Sequence, residues 1–176
     1  MLKGKERRRF WSEAWLLVAL LSPVLLVAQE VEQMESWYYQ ALLDPITDVN
    51  SSSAFVMDDD EKWILAINCR DGDYVVGIMI HPTSLNGSLL RLEILLETWR
   101  RTMTWRIDQT EPVTQNWLSV ETGLAIQNKG AATFVEALTL ANNRVVMRFG
   151  HSAKTYTVVL AADGAAEAVE ALNSCN

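Results

Sequence analysis

Two apolar runs joined by an Asp-Gly pair, between Trp63 and Ile80, constrain the fold more than any other part of this sequence. In the first run, WILAINC, Leu65, Ile67 and Cys69 stand two residues apart, and residues at that spacing lie on one face of a β-strand. The second run, YVVGIMI, shows the same period. An Asp-Gly pair between two such runs is typical of a tight β-hairpin. This segment therefore predicts two antiparallel strands with Cys69 on the core side.

The same alternation recurs through most of the remaining chain. It is found in LLRLEILLE, in MTWRID, in the two halves of NWLSVETGLAIQ, and in the final pair RVVMRF and TYTVVLAA. Strands that alternate apolar and polar residues are typical of antiparallel sheets with one solvated face. The chain is therefore predicted to be mainly β, as an antiparallel β-sandwich or a flattened barrel of roughly seven to nine strands.

Three segments have apolar residues at helical spacing instead. AATFVEALTLANN places Phe134 and Leu138 on one face and predicts a short helix before the last strand pair. DGAAEAVEALNSC predicts a C-terminal helix with Asp163 as its N-cap. The third segment, EVEQMESWYYQALL, lies within residues 29–44 and predicts either a short helix or a linker.

The N-terminal segment is typical of an export signal. MLKGKERRRF carries five basic side chains, and the following AWLLVALLSPVLLVA has no charged residue. An apolar run of roughly 15 residues fits a secretory signal peptide, whereas a membrane-spanning helix needs about 20. Residues 1–28 are therefore predicted to be a signal peptide, with an uncleaved N-terminal anchor as the alternative, and residues 45–176 a single β-rich domain. Membrane contact is expected only if this signal segment is retained.

The sequence is acidic, with a formal net charge of −7 at pH 7. Residues 1–28 hold five basic and two acidic side chains, so the remainder has ten basic and twenty acidic side chains and a formal net charge of −10. Nucleic-acid binding normally uses a basic patch that releases counterions from the phosphate backbone. No nucleic-acid partner is therefore expected.

The chain has two cysteines, Cys69 and Cys175. In an oxidising compartment, two cysteines that each end a periodic apolar segment most simply form one disulfide. A bond from Cys69 to Cys175 would hold the terminal helix against a central strand, and it would stabilise the fold by about 4 to 5 kcal/mol in the chain-entropy treatment. Two free thiols are the alternative. Two distant cysteines and two histidines are too few ligands for a metal site, so no metal and no cofactor are predicted.

No residue pattern in the sequence indicates catalysis. The two histidines, His81 and His151, both lie in loop-like segments, IHPT and GHSAK. A nucleophilic site needs a base within hydrogen-bond reach of a serine or a thiolate, and neither segment supplies that arrangement. The acidic run Asp58–Glu61 offers oxygen atoms for calcium, but the glycine and the distal glutamate of an EF-hand loop are missing. The protein is therefore predicted not to be an enzyme.

Four residues are candidates for contact with a partner: Trp99, Arg106, Asp108 and Trp117. Arg106 and Asp108 stand two residues apart on one predicted strand, so their side chains share a face. They can pair with each other, or they can anchor a binding surface together with the tryptophans, because arginine and aromatic residues are enriched in binding hot spots. Trp99 is flanked by charged residues and is predicted to be exposed.

The order of several short motifs resembles the TagO/VasI family, periplasmic proteins associated with type VI secretion systems. The motifs are DPITD, ILAINC, RID, a later NW, a short helix before VVMRF, and the terminal AAEAVEALNSC. Together they cover most of the chain that follows the predicted signal peptide. The resemblance implies a β-rich exported domain with an accessory, non-catalytic role in the periplasm of a Gram-negative bacterium.

The expected function is that of an exported, non-catalytic accessory protein of the bacterial envelope. It would bind an envelope or secretion-apparatus protein through a sheet face or a sheet edge. A glycan- or peptidoglycan-binding module, with Trp99 and Trp117 as stacking platforms, is the alternative.

Overall fold

The computed structural model describes residues 31–42, 46–47, 49–70, 72–81, 100–120, 123–151 and 154–172, and for His151 it describes the backbone alone. Four sequence predictions fall outside this part of the chain. They are the signal peptide over residues 1–28, the strand in LLRLEILLE, the tryptophan Trp99 and the cysteine Cys175.

The described residues form ten strands and two helices. The strands are β1 (Val31–Met34), β2 (Trp37–Gln40), β3 (Ser53–Met57), β4 (Trp63–Arg70), β5 (Asp73–Ile80), β6 (Arg100–Ile107), β7 (Val113–Val120), β8 (Gly123–Gln127), β9 (Arg144–His151) and β10 (Lys154–Ala161). The helices are α1 (Lys129–Leu138), before the last strand pair, and α2 (Ala165–Ala171), after it.

All ten strands belong to one open sheet, with the order β1-β2-β3-β4-β5-β8-β7-β6-β9-β10, and every hydrogen-bonded pair in it is antiparallel. The predicted fold class is confirmed: the chain is mainly β and antiparallel, with a short helix before the last strand pair and another after it. The sequence pattern gave too few strands, because it missed the two at the N-terminal edge.

The hairpin predicted from the Asp-Gly pair is present as β4 and β5. Arg70 pairs with Asp73, and Gly72 in the turn has φ 83°, a left-handed conformation that glycine adopts without a Cβ clash. Leu65 and Ile67 are fully buried and Cys69 nearly so. The predicted core side of this strand is therefore correct.

The sheet is curved, so that strands from its two halves meet across its inner face. Nε1 of Trp37 in β2 donates a hydrogen bond to the carbonyl oxygen of Ala161 in β10 (3.2 Å). The ring centroid of Trp63 in β4 lies 5.7 Å from that of Tyr156 in β10. We call the enclosed side of the sheet the inner face and the solvated side the outer face. The core lies on the inner face.

The helix α1 packs against one end of the inner face. Its Phe134 is fully buried and contacts Trp105 of β6 and Trp117 of β7 edge-on, with centroids 5.0 and 6.1 Å away. Such edge-to-face pairs are a favoured aromatic geometry. The predicted face of this helix, with Phe134 and Leu138, is correct.

The helix α2 packs against β1, β2 and β3. Its N-cap is Gly164, with φ 84°, and not Asp163 as predicted. The carboxylate of Asp163 instead accepts a hydrogen bond from the Ser36 hydroxyl (2.7 Å) in the β1–β2 turn. A Cβ on Gly164 would lie 1.9 Å from the carbonyl oxygen of Met34, so the close approach of this turn requires glycine.

The prediction of a helix or linker over residues 29–44 is wrong. Residues 31–40 form the hairpin β1–β2, in which Met34 pairs with Trp37 and Glu35 takes φ 55° in the turn. The helical spacing of apolar residues coincides here with alternation, because Trp37 and Tyr39 also lie on one side of a strand. Burial of the whole Trp37 side chain against the curved sheet favours the strand.

The two helices of the described residues are short, and neither has the length and apolarity needed to cross a bilayer.

Candidate functional site

The predicted partner residue Trp117 is not on the surface. Its side chain is fully buried on the inner face of β7, where it packs against Phe134. Among the described residues, its indole Nε1 finds no hydrogen-bond partner. Trp117 therefore belongs to the core and cannot serve as a stacking platform for a glycan. Trp99, its predicted companion, lies outside the described residues.

Asp108 organises a turn through hydrogen bonds to backbone groups of its own chain. It follows the last residue of β6 with φ 51°, and its carboxylate accepts three backbone hydrogen bonds, from Asn142 (2.8 Å), Asn143 (3.0 Å) and Arg144 (2.9 Å). The hydrogen bond from the Arg144 amide, followed by the one from Asn142, lowers the pKa of this carboxyl below its usual value. Asp108 thus fixes the turn between α1 and β9 to the end of β6.

Arg106 lies on the outer face of β6, beside two further arginines. It pairs with Val146 of β9. Arg144 and Arg148 lie two residues before and after Val146, so they are the diagonal neighbours of Arg106. Diagonal neighbours on adjacent antiparallel strands have Cα atoms about 7 to 8 Å apart. Arg100 lies on the same side of β6, six residues before Arg106. We call the outward surface formed by Arg100, Arg106, Arg144 and Arg148 the arginine face.

The strand positions of the arginine face hold no acid, although Asp108, at the end of β6, attracts Arg144 electrostatically. The outward positions of β6, β7, β9 and β10 are held by arginine, threonine, asparagine, glycine and apolar residues, without a single carboxylate. None of the four guanidinium groups makes an ion pair with a described residue. Hydroxyl groups fill the spaces between them: Thr104 and Thr114 contact each other at 3.0 Å, and Arg148 Nε donates to Thr157 (3.4 Å).

This concentration of positive charge contrasts with the chain as a whole, whose formal net charge is −7. Guanidinium groups match carboxylates with two parallel hydrogen bonds, which makes arginine suited to recognition of anionic surfaces. The arginine face is therefore a candidate surface for an anionic partner.

A second candidate feature is a pocket at the end of the inner face that α1 does not fill. It has a volume of about 30 Å³. Six apolar or aromatic side chains line it: Trp63, Ile78, Ile80, Leu124, Phe149 and Tyr156. The three aromatic rings form a cluster, with centroids 5.3 Å apart for Trp63 and Phe149 and 5.6 Å apart for Phe149 and Tyr156. We call this space the aromatic pocket.

The polar part of the aromatic pocket is small. Arg101 and Ser119, which are diagonal neighbours on the inner face of β6 and β7, also line it. Among the described lining residues, Arg101 is the one charged side chain. The pocket is therefore a small apolar space with a single positive group.

The acidic run Asp58–Glu61 forms a turn between β3 and β4. The carboxylate of Asp58 accepts the backbone N–H groups of Lys62 (2.7 Å) and Trp63 (2.9 Å). Asp60 makes an exposed ion pair with Lys62 (2.7 Å), and its hydrogen bond with Lys62 lowers the pKa of the Asp60 carboxyl. Within the described part of the chain, no three histidine, cysteine or acidic residues are grouped to hold a metal ion.

Cys69 lies at the far end of β4 from the aromatic pocket. It is not a free thiol, and its sulfur lies 3.3 Å from the carbonyl oxygen of Leu172, the residue after α2. Leu172 precedes Cys175 by three residues, which brings the chain to Cys69 as the predicted disulfide requires. Because Cys175 lies outside the described residues, the pairing itself stays a prediction.

Some candidate residues were missed by sequence reasoning. Arg144 and Arg148 alternate with the apolar Val145 and Met147, so their outward position could have been read from the sequence. Their proximity to Arg106 could not, because nothing local specifies that β9 pairs with β6. The same holds for the aromatic pocket, whose residues come from seven strands.

The chain matches no protein-family model, no curated protein and no solved structure. The membership of the TagO/VasI family implied by the resemblance therefore stays a prediction.

Proposed function

We propose that this chain is an exported, non-catalytic accessory protein of the bacterial envelope, and that it binds an acidic protein surface through the arginine face. Its partner is then an envelope or secretion-apparatus protein. The envelope location and the link to type VI secretion rest on the N-terminal charge pattern and on the resemblance to TagO/VasI proteins.

The observation that carries this proposal is the segregation of charge on the sheet. Four arginines share one surface without a carboxylate between them, in a chain with more acidic than basic residues. Charged side chains that only solubilise a surface are usually mixed in sign. Like charges at diagonal positions disfavour the free protein, and an anionic partner removes that disadvantage.

Because the chain is predicted to be exported, we expect its anionic partner to be a protein and not a nucleic acid. No nucleic acid is expected in the predicted compartment. An acidic protein surface offers carboxylates at varied spacing, which three neighbouring guanidinium groups can meet with bidentate hydrogen bonds.

A photo-crosslinking residue in place of Thr104, at the centre of the arginine face, tests the proposal in cells. We expect one adduct with an acidic envelope protein. The charge reversal R106E/R148E should abolish it, and high salt should weaken it. The matched control is K129E/K154E, which changes the net charge equally at two exposed lysines outside the arginine face and should leave the adduct intact. An adduct that survives R106E/R148E would contradict the proposal.

The alternative function is glycan or peptidoglycan binding. One of the two tryptophans expected to stack on a glycan, Trp117, is buried and cannot do so. It would depend on Trp99. Co-sedimentation with purified sacculi tests this alternative: binding above that of an unrelated acidic protein, insensitive to R106E/R148E, would favour the glycan over the protein partner.

A further inference from the structure

The strand β10 lies at one edge of the sheet, and no described strand pairs with its outer side. Proteins commonly protect an edge strand by short length, charged side chains, proline or a bulge. The opposite edge strand, β1, follows this rule, with four residues that include the charged Glu32. β10 has eight residues, and its register with β9 is continuous. Its one charged residue, Lys154, stands at its start, so the run from Thr155 to Ala161 has no such protection.

The hydrogen-bond pattern shows which backbone groups of β10 point away from β9. The amide of Ala162 donates to the carbonyl oxygen of Asn143 (3.0 Å), so these two residues form a hydrogen-bonded pair. Directly opposite residues of an antiparallel ladder alternate between hydrogen-bonded and non-hydrogen-bonded pairs. The N–H and C=O groups of Thr155, Thr157 and Val159 therefore point to the outer edge of the sheet.

The position of Trp37 agrees with this alternation. Its Nε1 donates to the carbonyl oxygen of Ala161 (3.2 Å), two residues beyond Val159, and so covers one end of the edge. Before that point Thr155 and Thr157 are exposed, and Val159 is 48 % exposed. Within the described part of the chain, no hydrogen bond reaches the edge-facing backbone groups of these three residues. An N–H and a C=O on each of them are therefore available to an added strand.

We infer that the acidic partner proposed for the arginine face binds through an extended segment, which adds to β10 as an antiparallel strand and carries carboxylates at alternate positions. This inference rests on the proposed function, because it specifies how the same partner is bound. Strand addition gains affinity from main-chain hydrogen bonds and specificity from alternate side chains.

The arginine face selects acidic side chains on the outer side of the added strand. Arg148 pairs with Thr157, and its Nε donates to the Thr157 hydroxyl (3.4 Å), so its guanidinium extends toward the open edge. Neighbouring strands lie about 4.8 Å apart, which puts a residue opposite Thr157 about 10 Å from Arg148 between Cα atoms. Arginine and glutamate side chains together span that distance. A glutamate at this position can therefore form charge-assisted hydrogen bonds with Arg148.

The inner side of the added strand meets an apolar environment. Its inward residues would lie beside Tyr156, which is half-buried, and Val158, which is 2 % exposed. A charged side chain at these positions would lose water without gaining a partner of opposite charge. Apolar residues are therefore expected between the carboxylates.

A second copy of this chain does not have the required pattern. Its β10 presents Thr155, Thr157 and Val159 outward, without a carboxylate. An antiparallel pair of two β10 strands would also place Arg148 of both copies on one continuous outer face, where like charges repel. Charge complementarity therefore favours an acidic strand from another protein.

Two isomeric peptides test this inference by fluorescence anisotropy, with protein that cells have exported. Both are fluorescein-labelled and alternate four glutamates with three valines. One has methyl groups on its three valine nitrogens, and the other has them on the nitrogens of its last three glutamates. Residues directly opposite Thr155, Thr157 and Val159 direct their N–H groups to β10, and these are the glutamates. The valine-methylated peptide should therefore bind one-to-one, and the glutamate-methylated isomer at least about tenfold more weakly.

Two proline variants locate the binding site. T157P removes an N–H group that points to the open edge and leaves the ladder with β9 intact, a placement that edge strands tolerate. It should weaken binding of the valine-methylated peptide at least about tenfold. The matched control is Q33P, which places proline at an edge-facing position of β1 and should leave binding unchanged. R148Q should weaken binding about two- to fivefold. Far-ultraviolet circular dichroism of each variant confirms the fold.

Four results would overturn the inference. They are equal binding of the two isomers, no binding of either, binding that T157P leaves unchanged, and a dimer of the free protein that T157P dissociates, which would identify a second copy as the occupant. The crosslinking test at Thr104 separates this inference from the proposed function. An adduct that R106E/R148E abolishes and T157P retains would support binding by the arginine face and contradict strand addition.

Discussion

The two faces of strand β6 differ in almost every physical respect, although their residues alternate along one chain segment. The inner face presents Met103, Trp105 and Ile107, all at most 2 % exposed. The outer face presents arginines and threonines in contact with water. Core packing and surface charge can therefore be changed separately in this protein, because neighbouring residues lie on opposite faces of the sheet.

The largest effect is expected from W105A. Trp105 packs edge-on against Phe134 with centroids 5.0 Å apart, and its Nε1 donates to the Gln115 side chain (2.9 Å). Removing a buried tryptophan leaves a cavity and costs about 3 to 5 kcal/mol. Chemical denaturation should show this loss, whereas R106A, one residue away on the outer face, should change the free energy of unfolding by less than about 0.5 kcal/mol. Similar losses in both variants would refute the separation of the two faces.

The next-largest loss of stability is expected from removing the predicted disulfide of Cys69, which lies at the end of the inner face of β4. If it is bonded to Cys175, the variant C175S should lose about 2 to 4 kcal/mol, because the unfolded chain is no longer constrained over about a hundred residues. Denaturation with and without reductant checks the cause. Reductant should destabilise the wild type to the level of C175S and should not affect C175S. A wild type that is indifferent to reductant would show that the bond is absent.

A smaller effect is expected at Asp108, which lies where β6 leaves the sheet. Its carboxylate accepts three backbone N–H groups, so D108A should cost about 1 to 2 kcal/mol at neutral pH, as for the loss of a capping residue. D108N is the matched variant, since asparagine also tolerates the positive φ of 51°.

The charge of Asp108 also predicts a pH dependence. Folding lowers the pKa of this carboxyl, mainly through the Arg144 amide, so the ionised form is stabilised in the native state. That stability is fully present above the unfolded-state pKa of about 3.9 and is lost as the pH falls through the lower folded-state pKa. The difference in unfolding free energy between wild type and D108N should therefore be constant near pH 7 and shrink below about pH 4. A difference that persists undiminished to pH 2 would show that the charge contributes nothing.

The sequence predicted those parts of the fold that local patterns determine. Leu65, Ile67 and Cys69 on one face of β4, the Asp-Gly hairpin, and the buried Phe134 of α1 follow from periodicity and turn chemistry. The hairpin β1–β2 did not, because its strands contain only four residues each, and the spacing of Val31, Met34 and Trp37 fits a helix equally well. The strand is favoured over the helix by the tertiary packing of Trp37, which is fully buried against the sheet.

The candidate sites were predictable only in part. The outward position of Arg106 follows from alternation along β6, whereas Asp108 was placed on the same face by its two-residue spacing and Trp117 was added on residue type. Burial depends on strand neighbours that are distant in sequence, and β6 lies between β7 and β9 through pairings that no short segment encodes. The aromatic pocket combines residues from Trp63 to Tyr156 for the same reason.

The smallest effect is expected on the outer face itself. Arg106 has Arg144 and Arg148 as diagonal neighbours on β9, and none of the three is neutralised by an ion pair with a described residue. Their repulsion should destabilise the free protein by about 0.2 to 0.5 kcal/mol, a cost that ions in solution screen. Thermal unfolding from 10 mM to 500 mM sodium chloride measures it, with R106Q/R148Q beside the wild type. The variant should be slightly more stable at low salt, and the two curves should converge as salt increases, whereas K129Q/K154Q should follow the wild type throughout. If R106Q/R148Q is instead less stable at every salt concentration, the arginines support the fold, and the outer face is not reserved for a partner.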